Sequence, residues 1–301
     1  MTAARVLCLG EALVDLIGEQ PVAELPDARA FTPHFGGAVA NVAVLAARAG
    51  ADVALAGGAG ADEWGRWLLE RLEREGVDVS LFELIEGGQT PLALVAIDSS
   101  GEPSYEIYGE GIASVVRALA DRVEDALAGS AGLFVSSNTL VGEAERAVTM
   151  RARELALEQS KPLIFDPNLR LHRWRSDAVA ATAANACVPG ALLVRATAAE
   201  AKLMAGADDA EEAARALVAA GARVVVITLG PGGAILRGEL HADVPGVHAD
   251  VISTVGAGDA LTGVLLARVA LAGFDPAAVA SALPEAVEAS ARACERWGAL
   301  E

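Results

Sequence analysis

Lysine is almost missing from this chain of 301 residues: Lys161 precedes Pro162 and Lys202 precedes Leu203. No Gly-Lys-Ser/Thr phosphate loop of the Walker type can therefore be present, and the protein-kinase signature set fails for the same reason. Cysteine is scarce too. Cys8, Cys187 and Cys294 are far apart and odd in number, which fits neither a disulfide framework nor a Cys-x-x-Cys metal site and is expected of a reduced, cytoplasmic protein. Positive charge is outweighed, with 23 Lys and Arg against 41 Asp and Glu for a net charge of −18. Such a surface repels nucleic acid and anionic membranes and leaves small molecules as the expected partners. No long apolar run exists either. Residues 6–9 are interrupted at once by Gly10 and Glu11, so no signal-peptide core is expected, and residues 260–274 are too short to span a bilayer and carry Arg268. No serine stands in Gly-x-Ser-x-Gly and no histidine pair forms His-Glu-x-x-His, which removes the α/β-hydrolase and zinc-protease readings.

Hydrophobic residues nevertheless make up 53% of the chain, with aromatics at only 4%. The core must be built from Val, Leu, Ile and Ala, which suits layered α/β packing. Strand-like runs at 5–9, 52–56, 133–135, 163–165, 192–194 and 224–229 alternate with helical stretches at 39–49, 63–75, 143–159, 211–220 and 257–272. That rhythm predicts a mostly parallel sheet with helices on both faces. Two excursions break it. Residues 92–97 and 105–108 flank a turn at 98–103 and read as a hairpin, and residues 13–35 are also non-helical, so the segments at about 13–35 and 90–110 are expected to pair as a small β lid. A (β/α)8 barrel is the competing architecture, and the two excursions count against it. Gly230-Pro231-Gly232-Gly233 reads as a turn between strands. No linker or repeat divides residues 1–301, so one domain is expected.

Three clusters could carry chemistry. Residues 253–261, Ser-Thr-Val-Gly-Ala-Gly-Asp-Ala-Leu, open a long helix, and a glycine-rich helix start leaves free N–H groups of Gly256, Ala257 and Gly258 aimed at one spot. Asp259 in that first turn is suited to accept a proton from an attacking alcohol beside a bound phosphate. The same residues also admit a structural reading, with Thr254 as the helix cap and Asp259 complementing the dipole. A second pair of glycines, Gly36 and Gly37, opens the helix that carries Asn41, and Asp15 follows the first strand. Asp15 and Asn41 could chelate neighbouring sugar hydroxyls, or form a turn and a buried amide. Asp166-Pro167-Asn168-Leu169-Arg170, with Arg173 and Arg175 behind it, forms a local positive patch that could face phosphate or solvent.

Gly36-Gly37-x-x-x-Asn41, Gly58-Ala59-Gly60-Ala61-Asp62-x-x-Gly65 with Gly76-Val77-Asp78, Asp166-Pro167-Asn168-x-Arg170, Thr228-Leu229-Gly230-x-x-Gly233 and Gly256-Ala257-Gly258-Asp259 occur in one order. In that order, and across nearly the whole chain, they resemble the ribokinase-like (PfkB) carbohydrate kinases. The resemblance is strongest to fructokinases, through Gly-Glu-x-Leu-x-Asp at residues 10–15 and Trp174 after Asp-Pro-Asn-x-Arg. Ketodeoxygluconate kinases stand close behind.

The resemblance implies a three-layer α/β/α sandwich with a β lid, often used for dimerisation, and hence a homodimer. It implies transfer of the ATP γ-phosphoryl to a sugar hydroxymethyl group, with magnesium as cofactor. Asp259 would be the base and residues 256–258 the anion hole. Asp15, Gly36, Gly37, Asn41, Asn168 and Arg170 would meet the substrate, and Thr228, Gly230, Gly233 and Arg195 the nucleotide. Glu200 would stand near the magnesium waters. Two departures weigh against parts of this: Ser253 replaces the aspartate that helps bind a monovalent cation in many relatives, which puts potassium activation in doubt, and Leu261 replaces a phenylalanine. A nucleoside kinase and a non-catalytic sugar-binding regulator on the same fold are the remaining alternatives.

Overall fold

The structure is a computed structural model that describes residues 4–109 and 111–301. Residues 1–3, and residue 110 at the end of the expected lid segment, lie outside the described residues. In chain order the elements run β1 (Val6–Leu9), β2 (Leu13–Gly18), β3 (Phe31–Gly36), α1 (Ala38–Arg48), β4 (Val53–Gly60), α2 (Glu63–Arg74), β5 (Phe82–Ile85), β6 (Leu92–Ile97) and β7 (Pro103–Tyr108). They continue with α3 (Gly111–Ala118), α4 (Val123–Ala128), β8 (Gly132–Ser136), α5 (Glu143–Glu158), β9 (Leu163–Asp166), α6 (Asp177–Asn185), β10 (Leu193–Thr197), α7 (Ala198–Ala205) and α8 (Ala210–Ala219). The last are β11 (Val224–Thr228), β12 (Ala234–Gly238), β13 (Ala242–Val244), α9 (Ala257–Leu271) and α10 (Ala277–Ala293).

Nine strands form one sheet in the order β13-β12-β11-β10-β9-β8-β1-β4-β5, parallel except where β12 and β13 turn back at one edge. The sheet is open, so the barrel alternative is excluded. Its strands read as continuous apolar runs because both faces are buried. Val6 and Cys8 of β1 point into the layer formed by α1, α2, α9 and α10, whereas Leu7 and Leu9 point into the layer formed by α3 to α8. The same alternation recurs in β11, where Val224 and Val226 join the first layer and Val225 and Ile227 the second. This is the α/β/α sandwich that the alternating pattern predicts.

The two β excursions pair as expected into a second sheet, β3-β2-β6-β7, in which β2 and β6 run parallel, with Asp15 in register with Ala93, 78 positions along the chain.

 β7 begins at Pro103 rather than Tyr105, and β3 extends to Gly36.

The helix ends fall within a residue or two of the sequence reading, but several elements went unread there. The short α3, α4, α6 and α7 are too brief for a clear 3.6-residue period, and α10 carries Pro284 in its interior. At α9 Thr254 is not the helix cap, although Asp259 does stand in the first turn, where it complements the dipole. Gly256, in the left-handed region with φ 78°, caps the helix, while Thr254 donates its N–H to the Gly101 carbonyl at 2.8 Å. All three cysteines are free, and burial pushes the Cys187 thiol up to about 12. No helix among the described residues is long and apolar enough to cross a membrane.

α1 and α9 lie side by side in the first layer and fix the position of the site. A Cβ on Gly263 would come within 2.6 Å of the Leu45 Cβ, so only glycine allows the two helices this close. One turn earlier on each helix stand Asn41 and Asp259. Both helix N-termini, each opened by glycine, therefore reach the same point at the carboxyl ends of the parallel strands, where open α/β sheets bind ligands.

Candidate active site

A cleft of about 1270 Å³ lies between the large sheet's carboxyl ends and the small sheet, roomy enough for two substrates. Asp15, Gly37, Asn41, Asn168, Arg170, Arg195, Glu200, Thr228, Gly230, Gly233, Gly256, Ala257, Gly258 and Asp259 all line it. Gly36 does not. It lies behind Asp15, where a Cβ would meet the Asp15 carboxylate at 2.4 Å.

Asp259 is 7% exposed in the first turn of α9. Asn41 Nδ2 donates to its Oδ2 at 2.9 Å, and Asn168 Nδ2 reaches Oδ1 at 3.4 Å. Burial raises its pKa to about 6, against the Asn41 hydrogen bond, which favours the ionised form; the Asp166 charge adds to the rise. Asp15 is buried nearby, and desolvation raises it to about 7 despite the opposing charge of Arg170. Two carboxylates of raised pKa in one cleft are what a proton-transfer site would contain.

Arg170 stands with its guanidinium carbon 4.5 Å from the ring centroid of Tyr105, on β7 of the small sheet. Its neighbours in the expected positive patch go elsewhere. Arg173 donates to the Asn138 side-chain oxygen at 3.2 Å and to its carbonyl at 3.1 Å, and Arg175 is exposed to solvent. The patch therefore divides, and of these three arginines only Arg170 lines the cleft.

Glu200 is heavily engaged. Its Oε2 accepts from the Thr197 N–H at 2.8 Å and bonds the Thr197 hydroxyl at 2.8 Å, and its Oε1 accepts from the Leu169 N–H at 2.7 Å. It thereby joins the start of α7 to the Asp-Pro-Asn-x-Arg turn. No group of three or more His, Cys, Asp or Glu able to hold a metal occurs among the described residues.

The sequence reading left out a buried pair on the acidic side of the cleft, Glu11 and Asn138, both of which line it. Glu11 Oε1 accepts from Asn138 Nδ2 at 2.9 Å and from the Ala38 N–H at 3.1 Å, which anchors the start of α1. Glu11 Oε2 has no hydrogen-bond partner among the described residues, and burial raises the carboxyl's pKa. The place of Glu11 directly after β1 was a usable signal. Asn138 carried none, since nothing near it in sequence brings it to Glu11.

The model of the pfkB family carbohydrate kinases matches residues 3–299. The chain belongs to this family. Fructokinase-1 of Zea mays is 33% identical over 274 residues, covering 89% of this chain and 84% of the relative. The crystal structure of fructokinase from Vibrio cholerae O395 in its fructose, ADP and calcium ion bound form matches with a TM-score of 0.86 at 28% identity, over 100% of this chain and 96% of that one. Aminoimidazole riboside kinase from Salmonella enterica, complexed with aminoimidazole riboside and an ATP analog, matches with a TM-score of 0.83 at 26% identity, over 98% and 95%. As a pfkB carbohydrate kinase the chain is a phosphotransferase that acts on a sugar hydroxyl.

Proposed function

We propose that this kinase transfers the γ-phosphoryl of MgATP to a hydroxymethyl group of fructose. The observation that carries the reading is Asp259, a buried carboxylate raised to about 6 and held by Asn41 at the glycine-opened start of α9. At pH 7 such a group is ionised by about ten to one, yet remains basic enough to take a proton.

The sugar lies on the acidic side, its hydroxyls donating to Asp15 and to the Asn41 and Asn168 side-chain oxygens, which have no hydrogen-bond partner among the described residues. ATP lies on the side of Thr228, Gly230 and Gly233. As the sugar oxygen attacks the γ-phosphorus, its proton passes to Asp259, the bond to the β-phosphate oxygen breaks and ADP leaves. The N–H groups of residues 256–258 meet the phosphoryl oxygens, so the enzyme supplies positioning and charge stabilisation rather than covalent chemistry. Magnesium would enter as part of the nucleotide substrate, carried by the phosphates, and would neutralise their charge; Glu200, which lines the cleft with its oxygens already bonded to Thr197 and Leu169, would be the carboxylate to meet its waters.

Arg170 supports a second reading, since a carboxylated sugar such as ketodeoxygluconate would pair with an arginine in the cleft. ADP formation from MgATP with fructose, ribose, ketodeoxygluconate, glucose and adenosine separates the two. Preference for fructose supports the first reading, and preference for ketodeoxygluconate replaces it with the second.

A further inference from the structure

Arg195 is the most buried cation of the cleft. It is 4% exposed on β10, and neither lysine of the chain lines the cavity. Nη1 donates to Asp166 Oδ2 at 3.2 Å and Nη2 to Thr228 Oγ1 at 3.1 Å, while the buried Nε has no hydrogen-bond partner among the described residues. Asp166 is held in turn by the Thr262 hydroxyl at 2.7 Å and the Asn168 N–H at 3.1 Å. The other neighbour of the guanidinium is the loop itself. A Cβ on Gly258 would come within 2.7 Å of Nη1 and 3.0 Å of Nη2, and the nearest atoms it would meet all belong to Arg195. Glycine at 258 thus makes room for this arginine.

A buried ion pair is costly to keep and is weak evidence for stability, so its place directly against the anion-binding loop calls for another explanation. We propose that Arg195 is a positioning residue for phosphoryl transfer: a fixed cation behind residues 256–258 that adds its charge to the helix N-terminus and holds Thr228 on the nucleotide side. The inference rests on the kinase reading above. A planar fork is required, because one group must meet Asp166, Thr228 and the Gly258 backbone together, which a lysine ammonium cannot do.

The test compares wild type, Arg195→Lys and Arg195→Gln in sugar-dependent ADP formation, with melting curves and calorimetric titrations of ATP and of ADP without sugar. Arg195→Gln is expected to lose about tenfold to a thousandfold in kcat. Its sugar KM should stay within roughly threefold, because the sugar contacts lie elsewhere. Its affinity for ATP should fall more than its affinity for ADP, since only ATP brings a γ-phosphoryl to the loop. Arg195→Lys should fall between. A kcat kept within threefold in Arg195→Gln, or equal losses for ATP and ADP, overturns the inference. If both variants fail to fold, Gly258→Ala displaces the guanidinium from the other side and should give the same ATP-selective loss; an equal loss of both nucleotides overturns it there too. A wild type inactive on every sugar sinks the kinase reading itself, which is a distinguishable result.

Discussion

Asn41 and Asp259, 218 residues apart in the chain, meet through a 2.9 Å hydrogen bond from the amide Nδ2 to the carboxylate Oδ2. The close packing of Gly263 on Leu45 one turn below sets this meeting. A helix-helix contact in the first layer of the fold thus determines the geometry of the carboxylate in the cleft.

Replacing Asn41 by Asp puts a second carboxylate beside Asp259 and removes the hydrogen bond that favours its ionised form. Like charges at this distance raise one pKa strongly. The wild-type rate should fall as pH drops through about 6, and in Asn41→Asp that acid limb should move upward. A kcat profile between pH 5 and 9 measures it, and a limb that stays in place contradicts the assignment.

Burial raises the folded-state pKa of Asp15 to about 7, well above the ordinary carboxylate range. A raised carboxyl pKa stabilises the fold at low pH, and that contribution is lost as pH rises through 7. Asp15→Asn should therefore melt about 2–5 °C higher than wild type at pH 8, with a smaller gain at pH 5, while binding the sugar more weakly. Equal melting temperatures at pH 8 count against the account.

Ser253 is fully buried, and its hydroxyl accepts from the Val255 N–H at 3.1 Å. With no carboxylate at this position, exchanging tetramethylammonium for potassium should raise the rate weakly or not at all. A large rate increase with potassium refutes this.

Gly263→Ala pushes α9 away from α1. Overpacking of this kind should cost about 1–3 kcal/mol of stability and also lower kcat, although the residue is outside the cleft. Denaturant unfolding and steady-state kinetics measure both, and full activity in the variant would separate helix packing from catalysis.

Much of the fold was legible because its signals are local. Apolar runs such as Val224–Thr228 and the turn at Gly230–Gly232 mark strands and reversals without reference to the rest of the chain. The glycine-opened helices and Asp259 were legible in the same way. What stayed hidden depends on distant partners. Glu11 finds Asn138 across 127 residues, Arg173 turns back to Asn138 rather than toward the cleft, and Arg195 on β10 comes against Gly258 on α9 although nothing near either in sequence signals it. α10 was missed for another reason: Pro284 inside it argues locally against a helix that packing on α9 maintains.

The most direct test of Asp259 as the base is Asp259→Asn, assayed for sugar-dependent ADP formation beside wild type, with ATP and sugar binding measured on both. The account expects kcat to fall by about 10²–10⁴-fold while both substrates still bind. An Asp259→Asn enzyme that binds both and turns over at the wild-type rate would contradict it.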